Sequence, residues 1–117
     1  MGDVRDYTEQ AQLLKSLAHP VRLQILDILR RGEECVCHME AVLGRRQSYI
    51  SQQLMTLRDA GLVDARKEGL NVFYCLADPE AVVPLLEVVF GPLGEEDRHH
   101  PADCPCPHCA IVSVPKN

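Results

Sequence analysis

The sequence predicts a mainly α fold carrying one two-stranded β-hairpin. Three observations lead to that expectation. Apolar residues recur at three- and four-residue spacing from Tyr7 to Ala60, the pattern of amphipathic helices. Between Leu62 and Leu76 the period changes to two, as in half-buried strands. A helical pattern then returns and ends at Phe90.

The first helix runs from about Tyr7 to Leu17, where Tyr7, Ala11, Leu14, Leu17 and Ala18 make one stripe. His19-Pro20 breaks and restarts the chain, with proline suited to a first helical position and His19 capping or packing there. The second helix follows through Val21, Ile25, Ile28 and Leu29, and Gly32 is placed to end it in a left-handed conformation. A short third helix covers roughly His38 to Leu43, with Met39, Val42 and Leu43 inward, and Gly44 marks the turn. The fourth helix, about Gln47 to Ala60, buries Ile50, Leu54 and Leu57 and stops at Gly61. Leu62 to Lys67 is a strand, Glu68-Gly69-Leu70-Asn71 a turn and Val72 to Leu76 the return strand. Asp78-Pro79 opens a last helix through Val82, Val83, Leu85, Leu86, Val89 and Phe90, which Pro84 should kink or delay. From Gly91 onward proline, glycine and charge dominate, so a mobile tail is expected, with Ala110 to Val114 as a short strand or docking segment. The division is a folded unit over residues 1–91 and a Cys/Pro-rich tail over 92–117. A hairpin directly after a helix-turn-helix makes the whole a winged helix-turn-helix.

At 117 residues and 46% hydrophobic, the chain is one globular domain with a modest core. With no tryptophan, that core must be aliphatic. No apolar run approaches the ~20 residues of a membrane span, and the polar start Met1-Gly2-Asp3-Val4-Arg5-Asp6 is unlike a signal peptide. A cytoplasmic location is expected, where thiols stay reduced. The six cysteines then point to metal or redox chemistry rather than a disulfide scaffold. A net charge of -5 argues against indiscriminate nucleic-acid binding, but Arg45, Arg46, Arg58, Arg66 and Lys67 gather in the middle of the chain.

With Ile50, Leu54 and Leu57 buried, the opposite face of the fourth helix carries Ser48, Ser51, Gln52 and Met55, flanked by Gln47, Tyr49 and Gln53. Glutamine and serine hydrogen-bond base edges in the major groove. Arg45 and Arg46 precede the helix and suit phosphates, and Arg66 and Lys67 on the wing suit backbone or minor-groove contact. A polar helix face also serves simply to meet water. The order helix-turn-helix, hairpin, helix, with basic residues at both phosphate-facing places, favours a double-stranded DNA partner. Arg46 stands where an N-cap Ser, Thr, Asp or Asn is expected, a loss of about 1 kcal/mol that phosphates in a complex would offset.

The segments Leu17-Ala18-His19-Pro20-Val21-Arg22, Ile50-Ser51-Gln52-Gln53-Leu54 and Leu57-Arg58-Asp59-Ala60-Gly61-Leu62-Val63, continuing to Tyr74, resemble the ArsR/SmtB family of bacterial metal-sensing repressors. Glu34-Cys35-Val36-Cys37 resembles the thiolate motif of members that sense arsenite, cadmium or lead. The resemblance implies a winged-helix homodimer joined through its first and last helices, an imperfectly palindromic operator, and derepression when metal binds. In the arsenite pattern a third cysteine follows three residues after Cys37, but this chain has Glu40 there. The family's other site type uses Asp/His and His/Glu pairs on the last helix, which here offers only Glu80 and Glu87.

Thiolates favour As(III), Cd(II), Pb(II), Zn(II) and other thiophilic ions. A helix N-terminus favours a thiolate, and Cys35 and Cys37 lie at or just before one. Residues two apart on a regular helix do not face each other, so gripping one ion is expected to unwind the first turn. Further thiolates are available at Cys104, Cys106 and Cys109, which either close the site begun by Cys35 and Cys37, in cis or across a dimer, or bind metal separately. His38 and His108 are further donors for Zn(II), His99-His100 reads as solvated linker, and Cys75 as a small buried side chain.

The leading reading is therefore a metal(loid)-responsive repressor and not an enzyme. One alternative keeps the DNA and changes the signal to thiol oxidation or persulfide formation. Another, a metal-transfer or thiol protein, leaves the helix-turn-helix unexplained.

Overall fold

The computed structural model describes residues 6–95. The order is α1 (Thr8–Leu17), α2 (Pro20–Arg30), β1 (Glu34–Cys35), α3 (Val36–Leu43), α4 (Gln47–Asp59), β2 (Val63–Glu68), β3 (Asn71–Leu76) and α5 (Pro79–Phe90). The three strands form one antiparallel sheet in the order β1-β3-β2. This is the winged helix-turn-helix arrangement the sequence predicts, with one more strand.

The core is aliphatic, as the composition requires. Val21, Ile25, Leu26 and Leu29 of α2 meet Met39 of α3, Ile50, Leu54 and Leu57 of α4, Leu76 of β3, and Val82 and Leu86 of α5. Each fully buried leucine or isoleucine contributes roughly 1.5–3 kcal/mol. His19 Nδ1 accepts from the Val21 N–H at 3.2 Å, capping the helix that Pro20 opens. The buried Arg30 joins α2 to the end of α5: it donates to Asp27 at 2.7 Å and to the Gly91 carbonyl at 2.7 Å, and lies over the Phe90 ring.

Several expectations need correction. The helix α3 begins at Val36, two residues before the expected His38, because Cys35 leaves an extended strand and itself caps the helix. Val42 is exposed, and so are Tyr7, Ala11 and Leu14, so of the α1 stripe only its C-terminal Leu17 reaches the core of a single chain. The hairpin turn is two residues rather than four, since Glu68 and Asn71 still pair. Gly69, at φ +64, takes the first turn position, where a two-residue hairpin of this kind needs a positive φ. Gly32 follows α2 at a positive φ of 152, well beyond the φ of about +60 of a compact left-handed cap. The helix α5 starts at Pro79 and runs through Pro84, so Pro84 does not delay it. The tail, with His99, His100 and the segment Ala110 to Val114, lies outside the described residues.

Candidate nucleic-acid interface and thiolate site

Helix α4 presents its polar face outward as the periodicity predicts. Ile50, Leu54 and Leu57 are buried, while Gln47, Ser48, Gln52 and Met55 are exposed. Tyr49 and Ser51 are half-buried at the margin of that face. Arg46 is the N-cap residue and makes no side-chain cap, leaving the first-turn N–H groups open to an anion. Arg45 stacks over the Tyr49 ring, its guanidinium carbon 5.2 Å from the centroid.

What orients α4 includes a residue whose role the periodicity did not reveal. Arg22 of α2 donates from Nε to the Ser16 carbonyl at 2.7 Å, from Nη2 to the Lys15 carbonyl at 3.4 Å, and from Nη1 to Gln53 Oε1 at 3.1 Å. One guanidinium thus caps the C-terminal carbonyls of α1 and holds the flank of α4. The sequence signal was Arg22 itself, in the Ala-His-Pro-Val-Arg segment.

On the wing, Lys67 is exposed. Arg66, expected to meet the DNA backbone, has a guanidinium engaged within the protein by Glu33 at 2.7 Å and Glu68 at 2.9 Å. These hydrogen bonds, Glu33's foremost, raise its pKa further above its already high ordinary value.

The thiol pair straddles a strand–helix junction. Cys35 is extended and buried, at φ -91 and ψ 162, and its Sγ accepts from the His38 N–H at 3.4 Å as the cap of α3. Cys37, half-buried, lies in the first turn. Both thiols line one cleft of about 290 Å³ with Val36, with Gln47 at the start of α4, and with Leu70, Asn71 and Val72 at the end of the wing. The expectation that the pair must unwind a helical turn is therefore altered, because only Cys37 is helical. Beside the pair, His38 Nε2 lies 3.7 Å from Oε2 of the buried Glu34.

Cys75 is a free thiol. Cys75 is half-buried rather than buried, and desolvation foremost pushes its pKa up. Among the described residues no three His, Cys, Asp or Glu side chains gather as a metal cluster. Two thiols in one cleft fit the start of a soft-metal site, not a whole one. Cys104, Cys106, Cys109 and His108 lie outside the described residues.

The comparisons with known proteins agree with this geometry. Residues 19–65 match the model of the "Bacterial regulatory protein, arsR family". A biofilm growth-associated repressor of Agrobacterium fabrum is 48% identical over 83 residues, covering 71% of this chain and 70% of that protein. The crystal structure of Mycobacterium tuberculosis Rv0081 superposes with a TM-score of 0.67 at 38% identity, over 71% of this chain and 83% of that one. A homodimeric winged helix-turn-helix DNA-binding domain from Mycobacterium bovis, described as a possible ArsR-family regulator, gives 0.66 at 35% identity, over 76% and 86%. The relatives are named as regulators rather than enzymes, and this chain belongs to the ArsR family of bacterial regulatory proteins.

Proposed function

We propose that this chain is a transcriptional repressor that holds an imperfectly palindromic operator as a homodimer and releases it when a thiophilic metal(loid) binds at Cys35 and Cys37. The observation that carries this reading is the shared cleft: the two thiols line it together with Gln47 of the DNA-reading helix and the end of the wing. The relative from Agrobacterium fabrum is named a repressor, which supports the sign of the regulation.

Cys35 and Cys37 would hold the ion, and the thiophilic set is As(III), Cd(II), Pb(II) and Zn(II). The ion supplies bonds that draw the two sulfurs toward one centre. Everything else falls to the protein. A Cys35 sulfur pulled toward Cys37 would strain its own weak cap on the His38 N–H. Movement at the cleft meets Gln47 and Val72, so it passes directly into both DNA-facing elements. A coupling of about 1–3 kcal/mol corresponds to roughly 5–150-fold in operator affinity. Cys104, Cys106 and Cys109 supply the remaining donors in cis or across the dimer, or hold a separate ion. In the first case loss of either half abolishes the thiolate-to-metal absorption.

The dimer reading rests on apolar surface. Tyr7 at the N-cap of α1, Leu14 on α1, and Val88 and Val89 on α5 are all more than half exposed in the single chain. Apolar surface exposed on both elements is what a second copy of the chain would cover. For DNA, Gln47, Ser48, Tyr49, Ser51 and Gln52 are the base-facing set, and Arg45, Arg46, Arg66 and Lys67 the phosphate-facing one.

The test is fluorescence anisotropy with the DNA upstream of the chain's own gene, adding As(III), Cd(II), Pb(II), Zn(II) or an oxidant. Release by a metal(loid) from reduced protein, lost in Cys35→Ser/Cys37→Ser, is the expected result. Release only after oxidation would replace the metal signal by a thiol-redox one. Failure to bind any duplex would remove the repressor reading.

A further inference from the structure

The wing carries an ionic network that the inducer reading does not use. Arg66 Nε donates to both Glu33 carboxylate oxygens at 3.2 and 2.9 Å, its Nη2 donates to Glu33 Oε1 at 2.7 Å, and its Nη1 donates to Glu68 Oε1 at 2.9 Å. The Phe73 ring lies beneath, 5.1 Å from the guanidinium carbon. The side chains of Arg66, Glu33 and Glu68 are 45%, 30% and 57% exposed, so these pairs sit at the surface, where one ion pair is exchanged cheaply for another.

A guanidinium fork grips carboxylate and phosphate in the same bidentate geometry. Glu33 does not belong to the wing. It reaches across from the segment before β1 and fills the edge of the fork that a phosphate would need.

We propose that Glu33 is a phosphate surrogate: in the DNA-free protein it occupies the face of Arg66 that a backbone phosphate takes in the complex, and it thereby sets how tightly the wing holds duplex DNA. This rests on the DNA-binding reading above but on no inducer. Binding exchanges one anion for another on Arg66, and Glu33 acts only through that residue.

The experiment is anisotropy of the full-length reduced chain with a labelled duplex of mixed sequence, over a salt series. Glu33→Gln should tighten binding about two- to fivefold, the scale of one exposed ion pair. Glu33→Asp keeps the charge but falls one methylene short of the fork, so it should tighten binding in the same direction. Arg66→Gln should weaken binding and lower the slope of log affinity against log salt by about 1, the mark of one lost phosphate contact. In the Arg66→Gln background, Glu33→Gln should gain nothing.

A gain of equal size in that background would mean that Glu33 acts as a general negative charge, and would overturn the proposal. So would an unchanged salt slope in Arg66→Gln, or weaker binding by Glu33→Asp at an unchanged unfolding midpoint. Wild-type protein that binds no duplex at all overturns the DNA-binding reading, and this one with it. Binding that ignores Glu33 overturns only the surrogate role.

Discussion

Cys35 and Phe73 are direct cross-strand partners in the β1–β3 ladder, and both are buried. On its other side Phe73 pairs with Arg66 of β2, whose guanidinium lies against the ring. Directly opposed residues in an antiparallel ladder share a face of the sheet. Thiol, ring and guanidinium therefore form one row from the cleft to the wing.

Phe73→Ala removes the middle of that row. The ring is 1% exposed, and truncating a phenylalanine so placed costs about 3–5 kcal/mol. The urea unfolding midpoint should fall accordingly, with Phe73→Leu falling less. A loss below about 1 kcal/mol for Phe73→Ala, well under the usual range, would mean that the ring does not fill the space between β1 and β2.

Cys35→Ser separates stability from sensing. Serine is a strong N-cap, and its shorter hydroxyl can accept from the His38 N–H that Cys35 Sγ now caps. Stability should stay within about 1 kcal/mol of wild type, while Cd(II) titration loses thiolate-to-metal absorption. Retention of that absorption at full strength would take Cys35 out of the site.

The sequence made the helices and the hairpin legible because each repeats its apolar period several times, as Ile50, Leu54 and Leu57 do. It could not reveal β1. Two residues, Glu34 and Cys35, are too few to display a period, and their pairing with Tyr74 and Phe73 is set by a strand some forty positions onward. The same missing strand explains the late start given to α3. The exposed Tyr7 and Leu14 show the opposite limit: periodicity reports that a stripe needs cover, not which chain covers it. Cys35 and Cys37 were visible from spacing alone. Their neighbours Gln47 and Val72 were not, because tertiary folding creates the cleft. Glu33 likewise gave no local sign of its long reach to Arg66.

Cys75 should behave as a bystander thiol. Burial first, then the charges of Glu33 and Asp64, raise its pKa above 9.0. An acid whose folded pKa is raised favours the folded state while neutral. That contribution is present below the unfolded pKa and lost as pH rises above it. Stability should therefore decline above about pH 9, and Cys75→Ser should remove that part of the decline. At neutral pH the variant should bind Cd(II) as wild type does, and a lost equivalent of metal would make Cys75 a ligand.

Arg22→Met keeps the aliphatic stem and removes the donors to Ser16, Lys15 and Gln53. Losing charged hydrogen bonds at part-buried carbonyls costs about 1–3 kcal/mol. Because α1 carries exposed apolar surface, its loosening should also weaken self-association in sedimentation. A thermal midpoint equal to wild type would deny that Arg22 joins α1 to α4.

Arg46→Asp sets stability against function in one position. Arg46 is the N-cap of α4 and contributes no side-chain cap, and its cation sits beside the positive end of the helix. Aspartate there can accept a first-turn N–H and complement the dipole, a gain of about 1 kcal/mol. The same change puts a negative charge where a phosphate should bind. The thermal midpoint should rise while affinity for a mixed-sequence duplex falls and the salt slope drops by about 1. A variant that is both more stable and equally good at holding DNA would show that the first turn of α4 faces solvent in the complex, and the phosphate-facing role of Arg46 would go with it.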